Sequence, residues 1–254
     1  HREWALKAAD AGKHVLSEKP LTMDLDEAAS VVSACRSNNV QLMDGVMWVH
    51  HDRTAAMKKV LVGGGLGEIR RVTSAFAFNW GANIPTENIR ARKELGGGSL
   101  GDLGYYCVRA ILWVFGELPE SVFARARYEN DVDIELSCML FYPNDRTASL
   151  DCGFTTRGRC WLEVAGSEAA LTVDDYVLPA SEEMSQYWVN KGPSSKQRFD
   201  LGPCVQEAKM IENFSSIVQS GVPDDGPPRD ALNTVRVCCA LAEAARTGRE
   251  TPVS

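Results

Sequence analysis

The chain has 254 residues, enough for one or two domains that bury most of their apolar surface. Apolar residues make up 44% and charged residues 24%, which is ordinary globular usage and excludes disordered, collagen-like and coiled-coil proteins. The net charge of -7, from 34 acidic and 27 basic residues, argues against a nucleic-acid partner, because such proteins carry a basic face. No apolar run approaches the roughly 18 residues of a membrane span, so we expect no membrane partner.

Eight cysteines are scattered through apolar stretches, and none forms a C-x-x-C pair. Free cysteine behaves as a small buried hydrophobic residue in reducing compartments, so we expect free thiols and no structural metal site. This usage predicts a cytoplasmic protein or one of an organelle stroma. The first residue is His1, and no targeting peptide is visible before the first predicted helix.

The first 46 residues alternate predicted helices and strands. A helix over 2–11 ends near Gly12, and Asp24 with Glu27 forms a capping-box pattern before a second helix to about residue 38. Short apolar runs after each helix predict strands at 14–16 and 40–46. This order is typical of a doubly wound parallel sheet.

The rest of the chain predicts an α+β arrangement. Strands cluster between about 121 and 201 without helices between them, which favours an antiparallel or mixed sheet. The predicted helices of this part cover 52–62, 99–115, 204–219 and 229–246, and its clearest strands cover 68–79, 132–142 and 146–154.

A glycine-rich run at 96–101 (GGGSLG) satisfies G-x-G-x-x-G, the dinucleotide-binding pattern. That fingerprint must follow a buried strand, whereas the residues before this run, 88–94 (NIRARKE), are too polar for one. We therefore expect a flexible entry to a helix, with glycines that let the backbone approach a ligand closely.

Two further segments suggest chemistry. In GKHVLSEKPL, a short strand ends in Glu18-Lys19-Pro20, and open α/β sheets bind ligands at the carboxyl ends of their strands. In GGGSLGDLGYYC, Asp102 and Tyr106 are four residues apart and so share a helix face. A free tyrosine titrates near about 10 and needs a nearby cation to act as a base, a role that suits Lys19. A surface lysine, a helix-start aspartate and a core tyrosine are the alternatives for each residue alone.

Together, Ala11–Pro20 (AGKHVLSEKP) and the GGGSLGDLGYY segment resemble the Gfo/Idh/MocA family, the NAD(P)-dependent glucose–fructose oxidoreductase and inositol dehydrogenase group. The stretch MDGVMWVHH and Tyr106 resemble the branch that contains glucose–fructose oxidoreductase and dihydrodiol dehydrogenase. The resemblance implies that Lys19, Asp102 and Tyr106 are catalytic. Tyr106 would take the substrate's hydroxyl proton, Lys19 would orient that hydroxyl and lower the phenol's pKa, and Asp102 would position the pair.

The resemblance also implies binding residues. Glu18, Lys19, Pro20 and Trp48 would line the cofactor pocket, for NAD or NADP. Arg90 would contact the substrate. His50 stands where the branch often has an arginine, so a substrate-binding and a structural role both stay open.

The resemblance implies a fold class as well: an α/β remnant of a Rossmann dinucleotide-binding domain over 1–46, then an α+β substrate and oligomerisation domain over 47–254 with a large mixed or antiparallel sheet. Fewer than 20 residues precede Glu18, so we expect this chain to lack most of the Rossmann domain and its phosphate-binding fingerprint. The implied activity is hydride transfer between the nicotinamide cofactor and a sugar or cyclic polyol. A non-catalytic binding or scaffolding protein that has lost the cofactor is the alternative.

The strand at 132–142 carries apolar residues in both of its alternating sets, so neither face of its sheet is wholly polar. Such faces usually mark interfaces, and family members commonly pair through this sheet. We therefore expect a homodimer. A monomer whose sheet is covered by residues 179–198 is the alternative.

Overall fold

The computed structural model describes residues 1–81, 86–179, 181–192 and 195–254. The chain begins with helix α1 (Arg2–Asp10), strand β1 (Val15–Ser17), helix α2 (Leu25–Ser37) and strand β2 (Leu42–Asp44). The two strands pair in parallel, with Val15 opposite Leu42 and Ser17 opposite Asp44. This small sheet has the predicted helix–strand alternation, although β2 is shorter than the 40–46 that the sequence predicts.

Local signals fix the ends of the first two helices. Gly12 follows α1 with a φ of +68°, a conformation that glycine adopts without steric cost. The Asp24 side chain accepts a hydrogen bond from the Glu27 backbone N–H at 2.9 Å, so Asp24 caps α2 as predicted. Because β1 and β2 are parallel, the residues that follow them lie at the same edge of the sheet.

Helices and strands then follow in a different order. A 3₁₀ turn (Met47–His50) leads to helix α3 (Asp52–Val62). Further along the chain, two 3₁₀ turns (Ile89–Ala91 and Lys93–Leu95) precede a π-helical turn (Leu100–Gly104). The remaining helices are α4 (Tyr105–Phe115), α5 (Gln206–Ser220) and α6 (Gly226–Thr247). The remaining strands are β3 (Ile69–Ala77), β4 (Ser121–Glu129), β5 (Val132–Phe141), β6 (Thr147–Gly153), β7 (Arg159–Gly166), β8 (Ala170–Asp174), β9 (Gln186–Asn190), β10 (Lys196–Asp200) and β11 (Thr251–Pro252).

Strands β3 to β11 form one nine-stranded sheet in the order β10-β9-β8-β7-β3-β6-β5-β4-β11. Strand β3 pairs in parallel with β6, and the other neighbours in the described sheet are antiparallel. The predicted large mixed sheet is therefore confirmed. Strand β3 enters at the centre of the sheet and carries its carboxyl end toward the glycine-rich segment.

One face of this sheet is buried in the hydrophobic core. Helices α4 and α6 pack on it. A row of paired side chains across seven strands is buried on this face: Val122, Leu140, Ala148, Val72, Val164, Leu171 and Val189. The neighbouring row points to the opposite, open face and is half-buried: Phe123, Met139, Ser149, Thr73, Glu163, Thr172 and Trp188.

Among the described residues, no helix combines the length and the apolar content that a membrane span requires.

Candidate functional site

A cleft of about 840 Å³ lies between the carboxyl end of β1 and the glycine-rich segment. Glu18, Lys19 and Pro20 line one side, and the Lys19–Pro20 peptide bond is cis. The glycines 96–98 and Asp102 line the other side. The sequence predicted a ligand site at this end of the strand, and the structure brings both predicted segments to one cleft.

The segment 99–115, predicted as one helix, contains a π-helical turn followed by an α-helix. Its first part is the π-helical turn, in which the Tyr105 backbone N–H bonds to the carbonyl oxygen of Leu100, five residues back. The regular helix α4 begins at Tyr105. Single π-helical turns are frequent at functional sites, and this one carries Asp102.

The glycine-rich run has a structural reason that differs from phosphate binding. Two 3₁₀ turns (Ile89–Ala91 and Lys93–Leu95) precede it, where a dinucleotide fingerprint would need a buried strand. A Cβ on Gly97 would lie 2.6–2.8 Å from backbone carbonyl oxygens of these turns, so only glycine fits there. The run thus lets the turns pack tightly against the start of the π-helical turn.

Asp102 lies between two cations. The Lys19 Nζ donates to the backbone oxygen of Asp102 at 2.6 Å and to its carboxylate at 3.0 Å. The Arg90 Nε donates to the other carboxylate oxygen at 2.5 Å, and the Arg90 guanidinium lies 5.4 Å from the centre of the Trp80 ring. Lys19 and Asp102 are mostly buried, so this ion pair is little screened by solvent. The three residues form one charged cluster on the cleft wall.

Tyr106 lies directly against this cluster. The Lys19 Nζ is 4.6 Å from the centre of the Tyr106 ring, and Phe76 packs edge-on against the same ring. Burial first, and then the carboxylates of Asp102 and Glu18, raise the pKa of Tyr106 well above its usual range. The phenol is therefore neutral at physiological pH. The pKa of Tyr106 is thus raised, in the direction opposite to the lowering expected from Lys19.

Trp48 is not among the described residues that line the cleft. Its side chain is fully buried, with Trp113 and Tyr176 edge-on against it at 5.8 and 5.3 Å between ring centres. Burial of so large an apolar ring is favourable, and Trp48 packs in the core.

His50 contacts helix α5. Its Nδ1 lies 2.9 Å from the side-chain nitrogen of Asn213 on α5, and burial lowers its pKa. The described lining of the cleft does not include it. These contacts favour the structural role over the substrate-binding one.

A buried polar network behind the cleft went unpredicted. The Asp44 carboxylate at the end of β2 accepts hydrogen bonds from the Tyr105 hydroxyl and from the Arg109 Nη2, both at 2.7 Å. The Arg109 Nε donates to the Thr234 hydroxyl of α6 at 2.7 Å. The signal in the sequence is a charged residue within each of two apolar segments, Asp44 in a strand and Arg109 in a helix.

Comparison with known proteins places the chain in a family. Residues 1–46 match the model "Oxidoreductase family, NAD-binding Rossmann fold", and residues 54–172 match "GFO/IDH/MocA C-terminal domain". A dTDP-3,4-didehydro-2,6-dideoxy-alpha-D-glucose 3-reductase from Saccharopolyspora spinosa is 31% identical over 89% of this chain and 68% of its own length. A D-xylose 1-dehydrogenase (NADP(+)) from Haloferax volcanii is 30% identical over 98% of this chain and 75% of its own.

A solved structure agrees with these relatives. A 3-ketoreductase from Actinomadura kijaniata, in complex with NADP and TDP-benzene, superimposes with a TM-score of 0.86 at 31% identity, over 98% of this chain and 74% of its own. The chain thus spans about three quarters of that enzyme. The chain belongs to the Gfo/Idh/MocA family of NAD-binding oxidoreductases.

Proposed function

We propose that the protein transfers a hydride between a nicotinamide cofactor and a carbon–oxygen centre of a sugar or cyclic polyol. The observation that carries this proposal is the position of Lys19, which lies on the wall of the cleft with Asp102 and contacts the ring of Tyr106. Sugar reductases and dehydrogenases among the relatives support the substrate class.

The cleft fits the nicotinamide end of such a cofactor. Its volume is within the usual range of small-molecule sites, about 300–1,000 Å³. Glycines 96–98 and Gly101 line one wall of the cleft, and the Met23 side chain packs so closely on it that a Cβ on Gly96 or Gly101 would lie 2.9 Å from Met23. When bound, the nicotinamide ring supplies the hydride donor or acceptor. NAD and NADP both suit this end of the site.

The chain's own residues would handle the proton. The neutral phenol of Tyr106 is in the right form to donate its proton to a substrate oxygen during reduction. In the oxidation direction the phenolate of Tyr106 would take the proton of the substrate hydroxyl. Lys19 would hold that oxygen and stabilise developing negative charge next to the phenol. Asp102 keeps the ammonium in place through two contacts, and Arg90 on the same carboxylate is positioned to meet the substrate. Glu18 and Pro20 would shape the cofactor side of the cleft.

A binding protein without catalysis is the alternative, and turnover distinguishes the two. The test is a panel of aldoses, cyclic polyols and vicinal diols with each nicotinamide cofactor, on protein expressed from its complete reading frame. We expect substrate-dependent reduction or oxidation of the cofactor with at least one member of the panel. Sugar binding by calorimetry with no turnover and no cofactor binding would contradict the oxidoreductase proposal.

We also propose the division of the chain at residues 46 and 47 into a nucleotide-binding part and a substrate and oligomerisation part. The separate family matches at 1–46 and 54–172 support this boundary. The first part contributes Lys19 and the second contributes Asp102 and Tyr106, so the proposed site lies between them.

We further propose that two copies pair through the open face of the nine-stranded sheet. Phe123, Met139 and Trp188 are only half-buried there. Strands β9 and β10 lie in the plane of the sheet rather than over it, which disfavours a cover formed by residues 179–198 (residues 180, 193 and 194 are outside the described part). Light scattering should give a dimer mass. A monomer mass that does not shift as concentration rises would contradict the proposal.

A further inference from the structure

The π-helical turn begins without a cap of its own. The residue before it, Ser99, has a fully buried side chain that makes no capping bond to the turn. The first N–H groups of a helix need partners, and a buried one without a partner is costly. Here the partner comes from the sheet: the Asp133 carboxylate of β5 accepts hydrogen bonds from the Leu100 N–H and the Ser99 hydroxyl, both at 2.7 Å.

The Asp133 carboxylate lies so close to the backbone before the turn that position 98 must be glycine. Gly98 has a φ of +115°, and a Cβ at this position would overlap the Asp133 carboxylate oxygen. The Cys152 Sγ lies 3.6 Å from the Ser99 hydroxyl oxygen on the same side. Both carboxylate contacts go to one oxygen, so the first residues of the turn are held at a single point.

The π-helical turn connects the residues held by Asp133 to the proposed site. The Asp102 N–H bonds to the Gly98 oxygen at 3.2 Å, so Asp102 is one hydrogen bond away from the segment that Asp133 holds. Asp102 in turn holds Lys19 against the Tyr106 ring. At the other end of the segment, Tyr105 is held by Asp44.

We infer that Asp133 is a positioning residue, which fixes the start of the π-helical turn and thereby the placement of Asp102 and Tyr106. It lies outside the cleft and acts through Ser99 and Leu100. The inference rests on the proposed function for its effect on rate. Displacements of about 1 Å in such sites can cost roughly a hundredfold in turnover.

The test compares Asp133→Ala and Asp133→Asn with the matched control Glu135→Gln, which changes the next outward carboxylate of the same strand. Glu135 contacts Thr155 and Arg127 and does not contact the turn. Two quantities are measured: deuterium uptake of peptides covering 98–106, and kcat together with the cofactor Kd.

For Asp133→Ala we expect uptake in 98–106 to be faster by roughly tenfold or more, because the Leu100 N–H loses its partner. We expect kcat to fall by about 10- to 100-fold with the cofactor Kd within about twofold of wild type. Asp133→Asn keeps one acceptor oxygen and should lie between wild type and Asp133→Ala. Glu135→Gln should match wild type in both measurements.

Unchanged uptake over 98–106 would overturn the inference, and so would faster uptake with wild-type kcat. Should Asp133→Ala fail to fold, Ser99→Ala removes one of the two bonds and is judged by the same two criteria. Should the wild-type protein show no turnover at all, the proposed function fails, while the uptake measurement still decides whether Asp133 holds the turn.

Discussion

Removing the charge of Asp44 should strongly destabilise the protein. Asp44 and Arg109 are almost fully buried, and their side chains are 2% and 6% exposed. In Asp44→Asn the Arg109 guanidinium stays buried without its counter-charge, 2.7 Å from a neutral amide. Breaking a buried pair in this way costs about 3–5 kcal/mol. With a urea m-value of about 3 kcal/mol/M, the unfolding midpoint should fall by roughly 1–1.7 M.

Urea unfolding followed by tryptophan fluorescence measures this shift. Tyr105→Phe is the graded comparison, since it removes one hydrogen bond to Asp44 and no charge, and should cost only about 1 kcal/mol. Adding Arg109→Met to Asp44→Asn should recover part of the loss, because no charge then stays buried alone. An Asp44→Asn protein within about 0.5 kcal/mol of wild type would refute the reasoning.

Two further predictions concern other parts of the chain. Burial lowers the pKa of His51 from 6.5 to about 4, so the unfolded chain binds more protons between these values. Stability should be unaffected by His51 above pH 6.5 and should fall by up to about 3 kcal/mol as pH drops to about 4, a loss that His51→Asn should remove in urea unfolding curves. A Cβ at Gly97 would lie 2.6–2.8 Å from three backbone oxygens, whereas one at Gly158 meets nothing within 4 Å. Gly97→Ala should therefore lower the unfolding free energy by at least about 1–3 kcal/mol and Gly158→Ala should not; equal midpoints would contradict this packing.

Features set by local sequence were predictable. The Asp24 cap and the bounds of α3 agree with the structure. The alternation in β5 is also confirmed, since Val132, Ile134 and every second residue to Leu140 are buried. Each of these depends on residues close in sequence, or on the period of one strand.

Features set by distant contacts were not predictable. Strand β3 lies between β6 and β7, partners that the chain reaches only much later, and no local pattern specifies that order. The π-helical turn depends on Asp133, which is distant in sequence from Leu100. Trp48 was assigned to the cofactor by resemblance, but its burial depends on Trp113 and Tyr176 from two other elements.

For the candidate site, the sequence predicted which segments meet, but it did not predict the direction of the pKa shift of Tyr106. The cleft brings Lys19 and Asp102 together as the two motifs predicted. The sequence also suggested that Lys19 would lower the pKa of Tyr106, whereas burial, followed by the carboxylates of Asp102 and Glu18, raises it. The strength of such coupling depends on burial and distance, which a motif does not contain.

The central claim is that the Tyr106 hydroxyl transfers the substrate's proton, and comparing Tyr106→Phe with Tyr142→Phe tests it most directly. Tyr142 is also buried, and its hydroxyl has no partner within the described residues, so its loss should leave turnover unchanged. We predict that Tyr106→Phe lowers kcat by about 10²–10⁴ with nearly unchanged cofactor affinity. Wild-type turnover in Tyr106→Phe, measured on the best substrate of the panel, would contradict the account.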